Sequence, residues 1–184
     1  MAKLDILTKF ILSYEGGFVN HPNDKGRETN KGVTIAVWKA QGYDKNGDGR
    51  IDVKDLKMIT DADAMEIMRK FYWNRWQADK IVDQSVANIL VDWVWGSGAW
   101  GIKIPQRVLG VKEDGIVGQN TLTAVNTHHP EYLFKLLKEA RAAYINDIIR
   151  KHPPYSVFRT GWIRRLNAIE YGKLTLNNGK VLVF

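Results

Sequence analysis

The chain has 184 residues, of which 45% are hydrophobic, with 27 Lys and Arg against 20 Asp and Glu for a net charge of +7. That length and apolar content suit one globular domain or two closely joined lobes and exclude a disordered chain, while the lack of cysteine excludes disulfides and thiolate metal sites. No apolar run approaches the ~20 residues of a membrane span, so no membrane insertion is expected. Residues 4–14 are too short, and too broken by Thr8 and Lys9, for a secretory signal, so no export address is read. The positive charge favours polyanions, an anionic cell wall among them. Apart from Arg164-Arg165 and Lys135-Lys138-Arg141 the basic residues are scattered, so no nucleic acid partner is expected.

Leu4, Leu7 and Ile11, with Phe10 and Tyr14 beside them, predict a first helix that stops at Gly16-Gly17 and places Glu15 in its last turn. The carbonyl end of a helix, and burial against Tyr14 and Phe18, both disfavour an ionised carboxylate at that place. A carboxylic acid held there can hand its proton to a leaving oxygen, the task of the general acid in glycoside hydrolysis. The same residue also reads as a solvated glutamate at a frayed helix end. Gly, Asn, Asp and Pro then dominate as far as Gly32 and predict a loop or small hairpin. Asp24 and Thr29, returning over Glu15, suit holding a water or stabilising a cationic transition state; turn chemistry at Asn23-Asp24-Lys25-Gly26 explains Asp24 equally well.

Thr34 caps a predicted short helix with Ile35, Val37 and Trp38, ending near Gly42. The run Asp44 to Asp55 then fits an EF-hand calcium loop. Asp44, Asn46, Asp48, Asp52 and Asp55 supply side-chain oxygens, Arg50 its backbone carbonyl, Gly49 the sharp turn and Ile51 the aliphatic position. The carboxylates crowded there repel unless a cation neutralises them, so a calcium ion of structural role is expected; a polar loop that mimics the pattern is the alternative.

Thr60 to Asp63 opens a further helix with a capping-box pattern, and Ala64, Ile67, Met68, Phe71 and Tyr72 form its apolar face. Tyr72, Trp73 and Trp76 either stack on sugar faces in a groove or pack in the core. The next helix, Ser85 to Trp95, turns Val86, Ile89, Leu90, Trp93 and Val94 to one side and Asp92 to the other. Between Gln106 and Asn126, the Leu109-Gly110 step, the Asp114-Gly115 turn and Gly118 predict two short helices tightly joined, Asn120 or Thr121 capping the second. Pro130 starts a long helix with Leu133, Leu136, Leu137, Ala140, Tyr144 and Ile148 on one face, stopped by Pro153-Pro154. Phe158, Gly161, Trp162, Arg165 and Leu166 belong to a final helix, and residues 173–184 alternate around Asn177-Asn178-Gly179 as a hairpin would. His128, His129 and His152 lack the paired spacing of metal ligands.

The run Glu15-Gly16-Gly17-Phe18, continued through Asn20, Pro22, Asp24, Gly26, Thr29, Gly32 and Thr34, resembles the signature of glycoside hydrolase family 108, the N-acetylmuramidases. Arg27 stands where the family usually has glycine. The order Glu15, Asp24, Thr29 is also close to that of phage-type lysozymes, with the second gap one residue short. The block from Val86 to Gly98, with Asp92 and Trp95, resembles a cleft-lining stretch of family 108. Residues 106–126 resemble the peptidoglycan-binding module that accompanies it, and Gly161, Trp162 and Arg165 resemble its C-terminal block. Aspartate at the last calcium position resembles a dockerin loop.

The resemblance implies a mainly α, lysozyme-like helical fold with a loop or hairpin over the active site and a C-terminal β-hairpin. Its parts would be a catalytic lobe, 1–97, with the calcium loop 44–55 inserted, and a helical peptidoglycan-binding module, 98–184. It implies a monomer that cleaves the β-1,4 bond between N-acetylmuramic acid and N-acetylglucosamine in the periplasm or cell wall. Glu15, Asp24 and Thr29 would be catalytic, and Tyr72, Trp73, Trp76, Asp92 and Trp95 would meet the glycan strand. A phage origin with a holin, or a secretion apparatus, would bring such an enzyme to the wall. The alternatives are a lytic transglycosylase and a non-catalytic wall-binding or secretion-assisting module.

Overall fold

The structure is a computed structural model, in which residues 1–20 and 28–184 are described. The first helix, α1 (Leu4–Tyr14), is followed by a small antiparallel sheet of β1 (Val19–Asn20), β2 (Glu28–Asn30) and β3 (Val33–Thr34). β2 and β3 pair in the register Asn30 to Val33, so only Lys31 and Gly32 make the turn. Both have positive φ, 50° and 76°, as a two-residue hairpin of this kind requires. Helix α2 (Ile35–Gln41) follows at once, its first turn capped by Thr34 Oγ1, which accepts the Val37 N–H at 3.3 Å.

Asp44 to Asp55 then loops into α3 (Val53–Lys57) and α4 (Asp61–Met68), each opened by a reciprocal capping box, Asp52 with Asp55 and Thr60 with Asp63. This part of the chain has its own apolar cluster: Val33, Trp38, Leu56, Ile59, Ala64 and Ile67, with Ile51 packed against it. Asn30 Nδ2 donates to the Leu56 carbonyl at 2.8 Å, tying the hairpin to α3.

The main core is built around α5 (Gln84–Ser97), in which every residue from Ser85 to Val94 is buried. A helix buried on all sides needs neighbours on all sides. Around it pack α1, α6 (Trp100–Val108) and α8 (Pro130–Lys151). Gly101 lets α6 approach closely, since a Cβ there would stand 2.5 Å from the Val94 nitrogen. Between α6 and α7 (Gln119–Thr127), buried Gln106 organises the turn: its Nε2 donates to Asp114 Oδ1 and the Ile116 carbonyl, and its Oε1 accepts the Gly115 N–H. The residue before α7 is Gly118, and no side chain caps the helix, in place of the expected Asn120 or Thr121 cap. Thr121 is instead buried beside Gln106.

The long helix α8 ends at Pro153-Pro154, and an exposed 3-10 turn, Pro153–Phe158, leads into α9 (Arg159–Asn167). The terminal hairpin is one side of a three-stranded meander, β4 (Ile169–Glu170), β5 (Lys173–Thr175) and β6 (Val181–Val183), paired Thr175 to Val181. One continuous core takes Leu7 and Phe10 from α1, Leu90 from α5, Ile102 from α6, Leu137 from α8, Leu166 from α9 and Leu174 from β5. The structure is thus mainly α, with small antiparallel sheets, as expected.

The calcium-type loop is tied to α4 through Asp63, which accepts from Lys45 Nζ at 2.6 Å and from the Tyr43 hydroxyl at 2.9 Å. Burial works against the Asp63 charge, but Lys45 and the Thr60 N–H and hydroxyl outweigh it and bring the carboxyl from 3.8 to about 2. A depressed carboxyl stabilises the fold above its unfolded value, and that contribution is lost as pH falls through the folded value. The melting temperature of the parent should therefore exceed that of Asp63→Asn near neutral pH, and the gap should close between about pH 4 and 2. A gap that persists below that window would remove this ion pair as the tether.

Candidate active site

Glu15 is the residue immediately after α1. Its N–H still reaches the Ile11 carbonyl at 3.1 Å, but its ψ of 127° turns the chain away from the helix axis. The side chain, 22% exposed, therefore leaves the helix end at the mouth of a cleft. Oε1 accepts two bonds, from Trp95 Nε1 at 2.9 Å and from Arg165 Nη1 at 3.0 Å; Oε2 takes none from the described residues. Phe18, expected to bury the carboxyl, is exposed and lies under the Lys57 ammonium at 4.8 Å. Tyr14 is close by, with the Arg165 guanidinium 5.5 Å above its ring.

Arg165 is held in turn by Asp92, a fully buried carboxylate on α5. Oδ1 of Asp92 accepts from Arg165 Nη2 at 2.7 Å and Nε at 3.2 Å, and Oδ2 accepts from Arg141 Nη2 at 2.7 Å. Burial alone would raise the Asp92 carboxyl, but Arg165 and Arg141 outweigh it and hold it below the usual carboxylate range. Arg165, in spite of its own burial, is held above the usual value by Asp92 and Glu15. For Arg141 burial outweighs its single carboxylate partner and the shift is downward, yet a guanidinium so close to Asp92 stays charged. Two carboxylates and two guanidiniums thus balance at the cleft floor, in the order Glu15, Arg165, Asp92, Arg141.

The β2–β3 turn closes the site from above. A Cβ on Gly32 would overlap Trp95 Cζ2 and lie 3.0 and 3.1 Å from Cγ and Cδ of Glu15. Behind Trp95 stands Tyr72, rings 4.6 Å apart, on a π-helical turn, Arg69–Trp73, that continues α4. Burial raises the Tyr72 phenol, with Arg75 opposing and the Glu15 charge adding to it. The cleft itself, about 340 Å³, is lined by Glu15, Trp95, Ser97, Arg141, Tyr144, Tyr155, Trp162 and Arg165. Two depressions of about 570 and 630 Å³ lie elsewhere, one at the start of α8 and one beside the Asp114-Gly115 turn. The first has no carboxylate held by donors among the described residues, and in the second the carboxylate, Asp114, is taken up by Gln106 and the Ile116 N–H within its own turn.

Residues 8–98 match the model of glycosyl hydrolase 108, and residues 100–167 match that of a predicted peptidoglycan domain. Among solved structures, SagA of Brucella abortus is 30% identical over 90% of this chain and 90% of its own, with a TM-score of 0.73. The chain belongs to glycosyl hydrolase family 108. A search of curated protein sequences finds no match. Family and second domain together give this family 108 chain a glycoside hydrolase role directed at peptidoglycan, and so an action at the cell wall. No helix among the described residues is long and apolar enough to cross a membrane.

The sequence-predicted site residues of this family 108 chain fall into three groups. Glu15 and Trp95 meet at the cleft. Trp73 and Trp76, expected against the glycan, are wholly buried; Trp73 Nε1 donates to Asp79 and Trp76 Nε1 to the Gly101 carbonyl, so their indoles belong to the core. Asp92 is likewise out of reach of a ligand, because α8 and α9 cover it and both its oxygens are taken by guanidiniums, and Tyr72 backs Trp95 without lining the cleft. Thr29 is partly buried in β2, paired with Thr34; Asp24 lies outside the described residues. Sequence reading missed Arg141 as a site residue, and it placed Arg165 only in the C-terminal block.

The calcium-type loop stands apart from the cleft. Asp44 accepts the Gly47 and Gly49 N–H groups, Asn46 that of Asp48, and Asp48 that of Arg50. Asp55 is buried, and the Asp52, Lys45 and Asn46 N–H groups hold its carboxyl below the usual range. Among the described residues no three His, Cys, Asp or Glu side chains gather as a metal would gather them. The donor set is nevertheless all hard oxygen, and apart from Asp55 Oδ1, which accepts both the Lys45 and the Asn46 N–H, each carboxylate oxygen bonded to an N–H keeps a second lone pair, so the residue types fit calcium and not a transition metal.

Two outcomes follow for the clamp. Gly32→Ala should displace Trp95 and the Glu15 carboxyl while leaving circular dichroism unchanged, and lower kcat/KM on peptidoglycan by about 100-fold, the scale of an ångström of misplacement. Asp92→Asn leaves two guanidiniums facing a neutral amide and should cost about 3–5 kcal/mol in urea unfolding. A cost under about 1 kcal/mol would show that the buried carboxylate does not hold them.

Proposed function

We propose that this protein is an N-acetylmuramidase, with Glu15 as the general acid for cleavage of the β-1,4 bond between N-acetylmuramic acid and N-acetylglucosamine. One observation carries the assignment: Glu15 is the only carboxylate among the described residues lining the cleft, and it is oriented by two donors. Since Oε1 already accepts from Trp95 and Arg165, the transferable proton belongs on Oε2. As the bond between the anomeric carbon and the glycosidic oxygen breaks, its electron pair goes to that oxygen and the Oε2 proton follows. The oxocarbenium ion left on the sugar takes up water, and the proton the water gives up restores the acid. Glu15 is a carboxylate between these steps, and the Arg165 and Trp95 donors stabilise that charge in place. Asp92, spent on two guanidiniums, is no candidate nucleophile.

Mass spectrometry of a peptidoglycan digest tests the reading. Reducing N-acetylmuramic acid ends, each carrying the added water, are expected. Anhydro ends would make the protein a lytic transglycosylase, and N-acetylglucosamine reducing ends would move the cut to the other linkage. Glu15→Gln keeps shape and removes the proton, and should lower the rate by about 100-fold or more; clearing of a wall suspension at the parental rate would overturn the role of Glu15.

We also propose that the loop from Asp44 to Asp55 takes calcium through Asp44, Asn46, Asp48, Asp52, Asp55 and the Arg50 carbonyl. The ion would neutralise the loop and, through Ile51, α3 and Asn30, steady the hairpin above Glu15. Calcium at 100 times its Kd should stabilise the chain by about 2.7 kcal/mol. Calorimetric binding that disappears in an Asp44→Ala, Asp48→Ala double variant is the matching readout. No heat of binding and an unchanged Tm with calcium or EGTA would remove the ion.

A further inference from the structure

The segment between α8 and α9 is exposed along its whole length. None of its residues from Pro153 to Phe158 is buried, although three of them are Tyr155, Val157 and Phe158. The aromatic rings nevertheless form an ordered array with Trp162. Phe158 and Trp162 are stacked, with centroids 5.7 Å apart and planes at 27°, and Tyr155 stands edge-on to Trp162 at 6.4 Å. Trp162 anchors the array, because it packs against the main core. Rings fixed this way and left to solvent are poised for a ligand with an apolar face.

Two features say which ligand. Tyr155 and Trp162 line the same cleft as Glu15, Trp95 and Arg165, so whatever runs through the cleft passes along this shelf. Arg141 lines that cleft too, and its Nη1 is buried without a hydrogen-bond partner among the described residues. A pyranose presents flat C–H faces to an aromatic ring, and an acetamido carbonyl is an acceptor for a guanidinium N–H.

We propose that Tyr155, Phe158 and Trp162 form a subsite for an N-acetylhexosamine of the glycan strand beyond the sugars at the scissile bond. Arg141 supplies the donor for its acetamido carbonyl. The inference rests on the muramidase reading and extends it: the C-terminal domain grips the substrate within the catalytic cleft and not at a separate face. The subsite makes the enzyme prefer long strands to short ones.

The test uses peptide-free glycan strands of two and of four disaccharide units, titrated calorimetrically into the intact Glu15→Gln chain. The longer strand should bind more tightly. Adding Tyr155→Ala and Phe158→Ala should weaken the longer strand roughly tenfold and abolish its advantage. Neither side chain is part of the buried core, so the fold should survive, and Val157→Ala, at a position 76% exposed and outside the cleft, is the control. In the Glu15 background the same pair should raise KM for long strands far more than it lowers kcat. An undiminished preference for the longer strand would overturn the subsite. So would a loss seen only in binding to anionic phospholipid vesicles, or only in self-association on sedimentation. If the parent binds the strands yet releases no new ends, the muramidase reading fails while the length comparison still decides the subsite.

Discussion

The buried carboxylate of Asp92 is the interaction on which the rest of the arrangement depends. An ionised group with no exposed surface is tolerated only when its charge is matched and its oxygens are bonded. Here the matching comes from two arginines of the C-terminal half, Arg141 on α8 and Arg165 on α9. The requirement fixes where α8 and α9 lie against α5, and it leaves Nη1 of the Arg165 guanidinium free to reach Glu15. A charge demanded by burial is thereby converted into the orientation of the carboxyl group proposed as the acid.

The two matched domains are consequently not independent in this fold. The main core passes from α1 through α5 to α8, α9 and β5, and the cleft is lined both by Glu15 and Trp95 of the first matched region and by Tyr144, Tyr155, Trp162 and Arg165 of the second. The second cluster acts from the opposite direction. The calcium-type loop leads into α3, α3 is bonded to Asn30, and the turn after Asn30 carries the glycine that rests on Glu15 and Trp95. The cleft, the two donors to Glu15 and the accessory loop therefore meet at one carboxyl group.

Much of the fold was legible in the sequence because its signals are local. The Thr34 and Thr60 caps, the apolar stripe of α8 between its flanking prolines, and the Asn-Gly turn of the last hairpin are each decided within a few residues. Glu15 was legible as an acid at a helix end followed by paired glycines. What could not be read was which polar residues meet across long separations. Arg165 lies 150 positions from Glu15 and Trp95 lies 80 away. Asp92 was expected in the cleft because a helical pattern shows which side is apolar and not whether α8 and α9 will cover the other. Trp73 and Trp76 show the reverse ambiguity, since spacing cannot separate an aromatic that stacks on sugar from one that fills the core.

The chain of dependence from Asp92 through Arg165 to Glu15 is open to one direct measurement, kcat/KM on peptidoglycan for Asp92→Asn, Arg165→Met and the double variant. If Asp92 acts by holding Arg165, the double variant should be no slower than Arg165→Met alone, because the second change removes a support whose load has gone. Losses that multiply would mean that the two residues reach the reaction by separate routes, and the clamp would not be what orients the acid.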